Sequence, residues 1–252
     1  MVPGVPDACF DDPRLAAIYD PLDPDRSDLD HYAAIVAEFG ACSVLDIGCG
    51  TGTFACMLAG RGVAVTGVDP AGASLRAARG KPGADRVRWI HGDATSLPPM
   101  QVDLATMTAN VAQVFLTDAG FAATLHGIRE ALRPGGRLVF ETRDPARRAW
   151  LEWDRAHTDE IVDVPGIGRV HTFSDVLSVT GAVDTAHGLL VTFRGTNEFD
   201  ADGTVLHSDS TLRFRSRAEV EALLATTGFT TDEVREAPDR PGREFVFVAT
   251  RT

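Results

Sequence analysis

Between Asp28 and Gly40 the apolar residues Leu29, Tyr32, Val36 and Phe39 recur at spacings of three and four, the stripe of an amphipathic helix that Gly40 closes. From Ser43 the pattern changes to short apolar runs, SVLDI, VAVTGVD, VRWIH, VDLATMT and RLVFET, alternating with helical stretches over 54–58, 71–79 and 117–132. The last of these helices places Phe121, Leu125, Ile128 and Leu132 on one stripe, and the Arg-Pro-Gly-Gly at 133–136 turns the chain into the next strand. Near-continuous apolar runs suit strands covered on both faces. The alternation predicts an α/β fold, a doubly wound, Rossmann-like, mostly parallel sheet with helices on either side.

After Pro145 a helical stretch carrying Trp150 and Trp153 leads into β-rich sequence over 163–214. Three runs, 171–180, 189–199 and 205–214, are broken by 181–185 and by the turn Asp200-Ala201-Asp202-Gly203, which predicts an inserted antiparallel meander. Ser216-Arg217-Ala218-Glu219 is a capping-box pattern opening a helix that Gly228 stops, and 229–236 with 244–250 form a closing hairpin. Residues 1–27, rich in Pro and Asp, form an arm with one short helical piece near 15–19. The expected division is an arm and helix over 1–40 that closes over a ligand, an α/β domain over 41–145 and 215–252, and an inserted helix and lid over 146–214.

Composition narrows the function classes. With 252 residues, 24 Lys+Arg against 36 Asp+Glu and a net charge of -12, the chain can bury a real core but lacks the basic face of a nucleic-acid reader. No run approaches the ~18 apolar residues of a membrane span, and the N-terminus has neither a basic nor an apolar leader region, so a soluble, cytoplasmic protein is expected. Cys9, Cys42, Cys49 and Cys56 form no CxxC pair and sit beside no His at ligand spacing; they read as reduced thiols, with no metal site.

The strongest chemical signal is VLDIGCGTG, in which a buried strand runs into glycines at 48, 50 and 52 and then a helix. Glycines permit positive φ and let a ligand approach the backbone at the carboxyl end of the first strand, where open α/β sheets bind. Asp69 ends the second strand; an acid there accepts from two ribose hydroxyls and repels a 2′-phosphate, which points to an unphosphorylated adenosine. It could also simply cap the following helix. An NAD-dependent oxidoreductase shares both features, yet the dinucleotide fingerprint read from Gly48 and Gly50 needs glycine at 53, where Thr53 stands. Beyond the third strand, Gly92-Asp93-Ala94 offers a carboxylate for an adenine amine and a backbone N–H for its ring.

In order, VLDIGCGTG, VTGVD, HGDA and RPGGRLVFE resemble the successive motifs of class I S-adenosylmethionine-dependent methyltransferases, over residues 29–145 and again at the terminal hairpin. The resemblance implies a seven-stranded sheet whose last strand is antiparallel, with S-adenosyl-L-methionine as cofactor and S-adenosyl-L-homocysteine as product. It maps Gly48, Gly50 and Gly52 to the methionine and ribose end of the cofactor, Asp69 to the ribose hydroxyls, and Asp93 and Ala94 to adenine. Asn110 maps to the floor near the methionine moiety, Asp46 to the acid bracing the turn and its ammonium contacts, and Tyr19, beside Asp20, to a lid tyrosine. The meander and LRFRSRAEVEALLATTGF resemble small-molecule N-methyltransferases of the amino-sugar and glycine type. TANVAQ over 108–113 departs from the Asn/Asp-Pro-Pro-aromatic motif of nucleic-acid amino methyltransferases, and the cysteines lack CxxxCxxC spacing.

Methyl transfer asks the protein chiefly to hold a nucleophile in line with an activated methyl, and orientation can supply roughly 7–11 kcal/mol of the barrier. Arg143, Asn110 and His207 are the expected catalytic residues, with Gln113, Glu141 and His171 as further candidates on the acceptor side. Arg143 could pair with an acidic acceptor or with a neighbouring Asp, and the histidines could equally be surface strand residues. Trp150 and Trp153 could line the pocket or pack helix against lid. The expected partner is a small-molecule acceptor, with no nucleic acid and no membrane, and the exposed edges of the meander would also suit a homodimer. A non-catalytic cofactor-binding module would keep the glycines and Asp69 but no closed acceptor pocket.

Overall fold

Asp12 accepts from the backbone N–H groups of Arg14 and Leu15 at 2.8 and 3.1 Å, and Pro13 sits where a helix needs no N–H. The arm therefore holds two helices, α1 (Ala8–Asp11) and α2 (Pro13–Leu22), where the apolar pattern alone gives one short piece. This is a computed structural model, describing residues 6–252; the first five positions of the arm lie outside the described residues. Next comes α3 (Asp28–Glu38), with Leu29, Tyr32 and Val36 buried.

Strands and helices then alternate: β1 (Ser43–Ile47), α4 (Thr53–Gly60), β2 (Ala64–Asp69), α5 (Gly72–Arg79), β3 (Val87–His91), β4 (Val102–Met107), α6 (Asp118–Ala131) and β5 (Leu132–Arg143). The insertion follows as α7 (Arg155–Thr158), β6 (Glu160–Val164), β7 (Gly168–Gly181), β8 (Leu189–Phe199) and β9 (Thr204–Phe214); the chain ends with α8 (Arg217–Thr226), β10 (Phe229–Glu236) and β11 (Glu244–Arg251). The large sheet has the order β10-β11-β5-β4-β1-β2-β3, with β11 antiparallel to both of its neighbours and the five strands β1 to β5 parallel. Because side chains alternate along a strand, Leu45 and Phe140 face α6 and α8 on one side, while Val44 and Val139 face α3 and α4 on the other. Each such side chain, fully buried, stabilises the fold by about 1.5–3 kcal/mol. The strand order reverses between β1 and β4, and this opens a crevice at their carboxyl ends.

The inserted sheet is antiparallel, in the order β6-β7-β8-β9, with one strand more than the three runs read from the sequence. The EIVDV of β6 follows a polar stretch directly and carries no alternation of its own to mark it. The helix expected after Pro145 is instead two 3₁₀ turns, Pro145–Arg147 and Ala149–Glu152, before α7; Arg148 between them is left-handed at φ 49°. Three residues make one 3₁₀ turn, so Trp150 and Trp153 still fall on one side, their rings 4.7 and 6.0 Å from Phe214. The insertion is fastened to the main sheet by Arg213 and Arg215, each 2% exposed, which reach Asp118 at the start of α6 at 3.0 and 3.2 Å. Ser216 and Glu219 form the capping box of α8. Among the described residues no helix is long and apolar enough to cross a membrane.

Candidate functional site

The glycine turn leaves β1 and is held against β2 by the Gly48 and Cys49 N–H groups, which donate to the Val68 carbonyl at 2.9 and 3.2 Å. Its three glycines serve different ends. A Cβ on Gly48 would meet Val111 at 2.6 Å and one on Gly52 would meet Trp89 at 2.5 Å, so those two are demanded by packing within the protein. Gly50, at φ 53°, has nothing within 4 Å of that position and presents bare backbone to open space.

Asp69, at the end of β2, accepts from Gly50 N–H at 2.8 Å with one oxygen and from Ala71 N–H at 2.7 Å with the other. It thus ties the glycine turn to the start of α5, and burial raises its carboxyl above the ordinary range. Capping and ligand contact coexist here, since each oxygen keeps a lone pair. The Gly92 N–H donates to the Asp69 carbonyl at 3.0 Å, drawing the Gly92-Asp93-Ala94 loop alongside. Asp93 is exposed and accepts from the Thr95 N–H at 2.8 Å, and Ala94 is buried. Beneath the turn, Asp46 is 1% exposed; one oxygen accepts from Thr106 at 2.9 Å and the other has no partner. Burial pushes its carboxyl up to about 7.

The arm lies over this region. Asp20 accepts from Thr51 at 2.7 Å and from Thr53 at 3.2 Å and pairs with Lys81 at 2.7 Å, while Asp11 accepts from the Ala73 N–H at 3.1 Å. The Tyr19 ring lies 5.6 Å from that of Phe10, tilted by 54°; the Phe10 carbonyl accepts from Ser74, and burial raises the Tyr19 hydroxyl. Lys81 and Asp11 were invisible to motif reading because each acts across more than 25 residues of intervening chain.

A second polar cluster sits at the ends of β4, β5 and β11. Ala109 and Asn110 are both left-handed, at φ 56° and 61°, in the turn after β4. The Asn110 backbone N–H donates to Glu141 at 3.0 Å and its amide to Glu244 at 3.3 Å. Arg143 donates to Gln113 at 3.0 Å and lies 3.8 Å from Glu244, which also takes Arg240 at 2.8 Å. Glu141 and Glu244 are each 4% exposed, and burial, reinforced by Glu244, pushes Glu141 up to about 8. Burial lowers the Arg143 guanidinium. Arg143, Trp153, His157, Arg240, Arg243 and Glu244 line an open pocket of about 390 Å³. Glu244 and Arg240 escaped the sequence reading, although an antiparallel last strand starts beside the end of β5, and Glu244 is in register with Arg143.

The two candidate histidines lie apart from this cluster. His207 in β9 meets Thr196 across the strand at 3.1 Å, and His171 in β7 bridges Asp159 at 2.9 Å and Glu198 at 3.1 Å, which together raise it. Among the described residues no hydrogen bond or ion pair joins either to Asn110 or Arg143, and no group of three His, Cys, Asp or Glu could hold a metal.

Residues 44–136 match the family described as a methyltransferase domain. Over 217 residues the chain is 27% identical to a methyltransferase of Geobacillus sp. (strain WCH70), covering 84% of this chain and 85% of that one. Among solved structures, Streptomyces venezuelae DesVI superposes with a TM-score of 0.74 at 21% identity, over 94% of this chain and 98% of that one. CalS10 of Micromonospora echinaspora, an amino pentose methyltransferase with S-adenosylmethionine bound, gives 0.65 at 23%, over 94% and 95%. At these identities the structural likeness is one of fold.

Proposed function

We propose, this chain being a class I S-adenosylmethionine-dependent methyltransferase, that it methylates a small molecule held between the 390 Å³ pocket and the glycine turn. The observation that carries the reading is the pairing of two different ends in one crevice: bare backbone at Gly50 beside Asp69, and a buried side-chain cluster around Asn110. The residues present fit the cofactor. A ligand can lie on Gly50 where a Cβ would stand, Asp69 keeps lone pairs for two hydroxyls, and the unpartnered Asp46 oxygen is a ready acceptor below the turn.

In this reading the turn of Gly48, Gly50 and Gly52 holds the methionine and ribose end together with Asp46, Gly50 facing the ligand while Gly48 and Gly52 seat the turn against Val111 and Trp89; Asp69 holds the ribose, Asp93 and Ala94 the adenine, and Tyr19 closes over them with its arm. S-adenosylmethionine supplies, when bound, a methyl group already activated on a sulfonium. Asn110 orients the reacting end, and Arg143, braced by Gln113 and Glu244 and 5.3 Å from the Trp153 ring, orients the acceptor. Orientation is the chief contribution asked of these groups. His207 belongs to the acceptor side only if the lid shifts toward the pocket. The insertion over 146–214 acts as the lid, reaching the pocket through Ala149, Glu152, Trp153 and His157 ahead of its sheet; the exposed Ile161 and Val205 on the two edge strands of that sheet favour pairing of two chains there as a second use. The amino-sugar-type N-methyltransferases remain the acceptor class we favour, and the four free thiols fit a cytoplasmic setting.

Calorimetry with S-adenosylhomocysteine and NAD tests the cofactor end. We expect heat from the first alone, and at ~100 times its Kd about 2.7 kcal/mol of added stability. Heat from NAD alone would overturn the reading.

A further inference from the structure

Glu141 is not explained by packing. It lies on the face of β5 shared with Val139, yet its second oxygen is buried and meets no donor, a costly arrangement for a purely structural carboxyl. Its first oxygen accepts the backbone N–H of Asn110, a residue in the left-handed region that follows another such residue, Ala109. Left-handed backbone at two successive non-glycine residues persists only where the surroundings hold it. The Asn110 side chain is held separately by Glu244, and its own oxygen is also buried without a partner.

We propose that Glu141 is a positioning residue for methyl transfer, clamping the left-handed turn at Ala109 and Asn110 from its backbone while Glu244 clamps it from the Asn110 side chain. The inference rests on the reading of Asn110 as part of the transfer site. The charged groups facing Glu141 are Glu244 from β11, Arg240 from the loop before β11 and Arg143 from its own strand. A neutral Glu141 accepts the Asn110 N–H without setting a second negative charge beside Glu244. Ionisation strengthens the bond to the Asn110 N–H but sets a second negative charge beside Glu244, on a buried oxygen that has no donor, so the cluster around the turn is disturbed as Glu141 loses its proton near its raised value of about 8. Glu141→Gln keeps an acceptor and stays neutral, and Glu141→Ala removes the clamp.

The test uses the full chain with ¹⁵N labelling and S-adenosylhomocysteine as probe, from pH 6 to 9.5. In the wild type the Asn110 backbone amide should titrate with a midpoint near 8, and homocysteine-product affinity should fall by up to about tenfold per pH unit above it. Glu141→Gln should abolish both changes, so that its affinity is the same at every pH of the series. Glu141→Ala, if it folds, should lose exchange protection at Asn110. Persistence of the titration in Glu141→Gln would assign the proton elsewhere and overturn the proposal, as would an Asn110 amide as protected in Glu141→Ala as in the wild type. A wild type that binds no S-adenosylhomocysteine would sink the cofactor reading, and the Asn110 titration would still decide whether Glu141 clamps the turn.

Discussion

The two ends of the crevice are built on opposite plans. At the glycine turn, backbone groups do the holding: Gly48, Cys49, Gly50 and Ala71 donate to a carbonyl and a carboxyl that belong to one strand, β2. At the Asn110 end, side chains from the β4 turn, β5, the loop before β11 and β11 hold one another. Backbone donors are indifferent to residue type provided no Cβ intrudes, so one end tolerates little but glycine at its open position. A side-chain cluster depends on every member, because losing one leaves another buried and unpaired. Both ends bury a carboxyl whose proton is held well into the neutral range, Asp46 at about 7 and Glu141 at about 8.

That contrast can be broken most forcibly at Glu244. Glu244→Ala leaves Arg143 and Arg240 facing each other, and chemical denaturation should report a loss of about 3 kcal/mol, at the low end for a broken buried pair because Arg240 is half exposed. A loss confined to the error of the measurement would mean that the cluster is not cooperative.

At the glycine turn the expected damage is to binding. Gly50→Ala puts a methyl group into open space at positive φ, so folding should suffer by about 1–2 kcal/mol. Overfilling the ligand's place should weaken S-adenosylhomocysteine by roughly 1–3 kcal/mol. Gly52→Ala, with its Cβ driven against Trp89 and Ala78, should instead show its main loss in the melting temperature. Equal behaviour of the two variants would erase the distinction between a packing glycine and a ligand-facing one.

Asp69 is a finer probe. Asp69→Ala strands both the Gly50 and Ala71 N–H groups, whereas Asp69→Asn strands only one, the N–H that its amide nitrogen faces, and is the milder variant. It keeps one acceptor oxygen, and calorimetry should show about 1.5 kcal/mol of lost affinity, roughly tenfold. Unchanged affinity would move the ribose contact elsewhere.

A change of pH sharpens the comparison at the other buried carboxyl. Asp46 has its pKa raised in the fold, so between about 4 and about 7 the folded chain holds a proton that the unfolded chain has lost. Stability relative to Asp46→Asn should therefore fall as pH rises through that window and level off above it. A rise over the same window would mean that the ionised form is the one the fold prefers.

What could be read from adjacent residues was the part whose physics is local. The apolar runs and amphipathic stripes marked β1 to β5 and α6, Ser216 to Glu219 marked the cap of α8, and the glycine turn with Asp69 marked the adenosine end, because a strand, a turn and a helix start lie within about twenty-five residues there. Asp12 and Pro13 were equally local signals of α2, overlooked in favour of the apolar pattern. The acceptor end has no such signature. Asn110 meets Glu244 across 134 residues and Gln113 meets the Arg213 carbonyl across 100, so which polar residues are neighbours follows from sheet order and the antiparallel entry of β11. Burial is also a property of the assembled layers: a glutamate near the end of an apolar strand carries no mark of an oxygen without a donor, and only packing against β11 and the β4 turn makes Glu141 a carboxyl that keeps its proton.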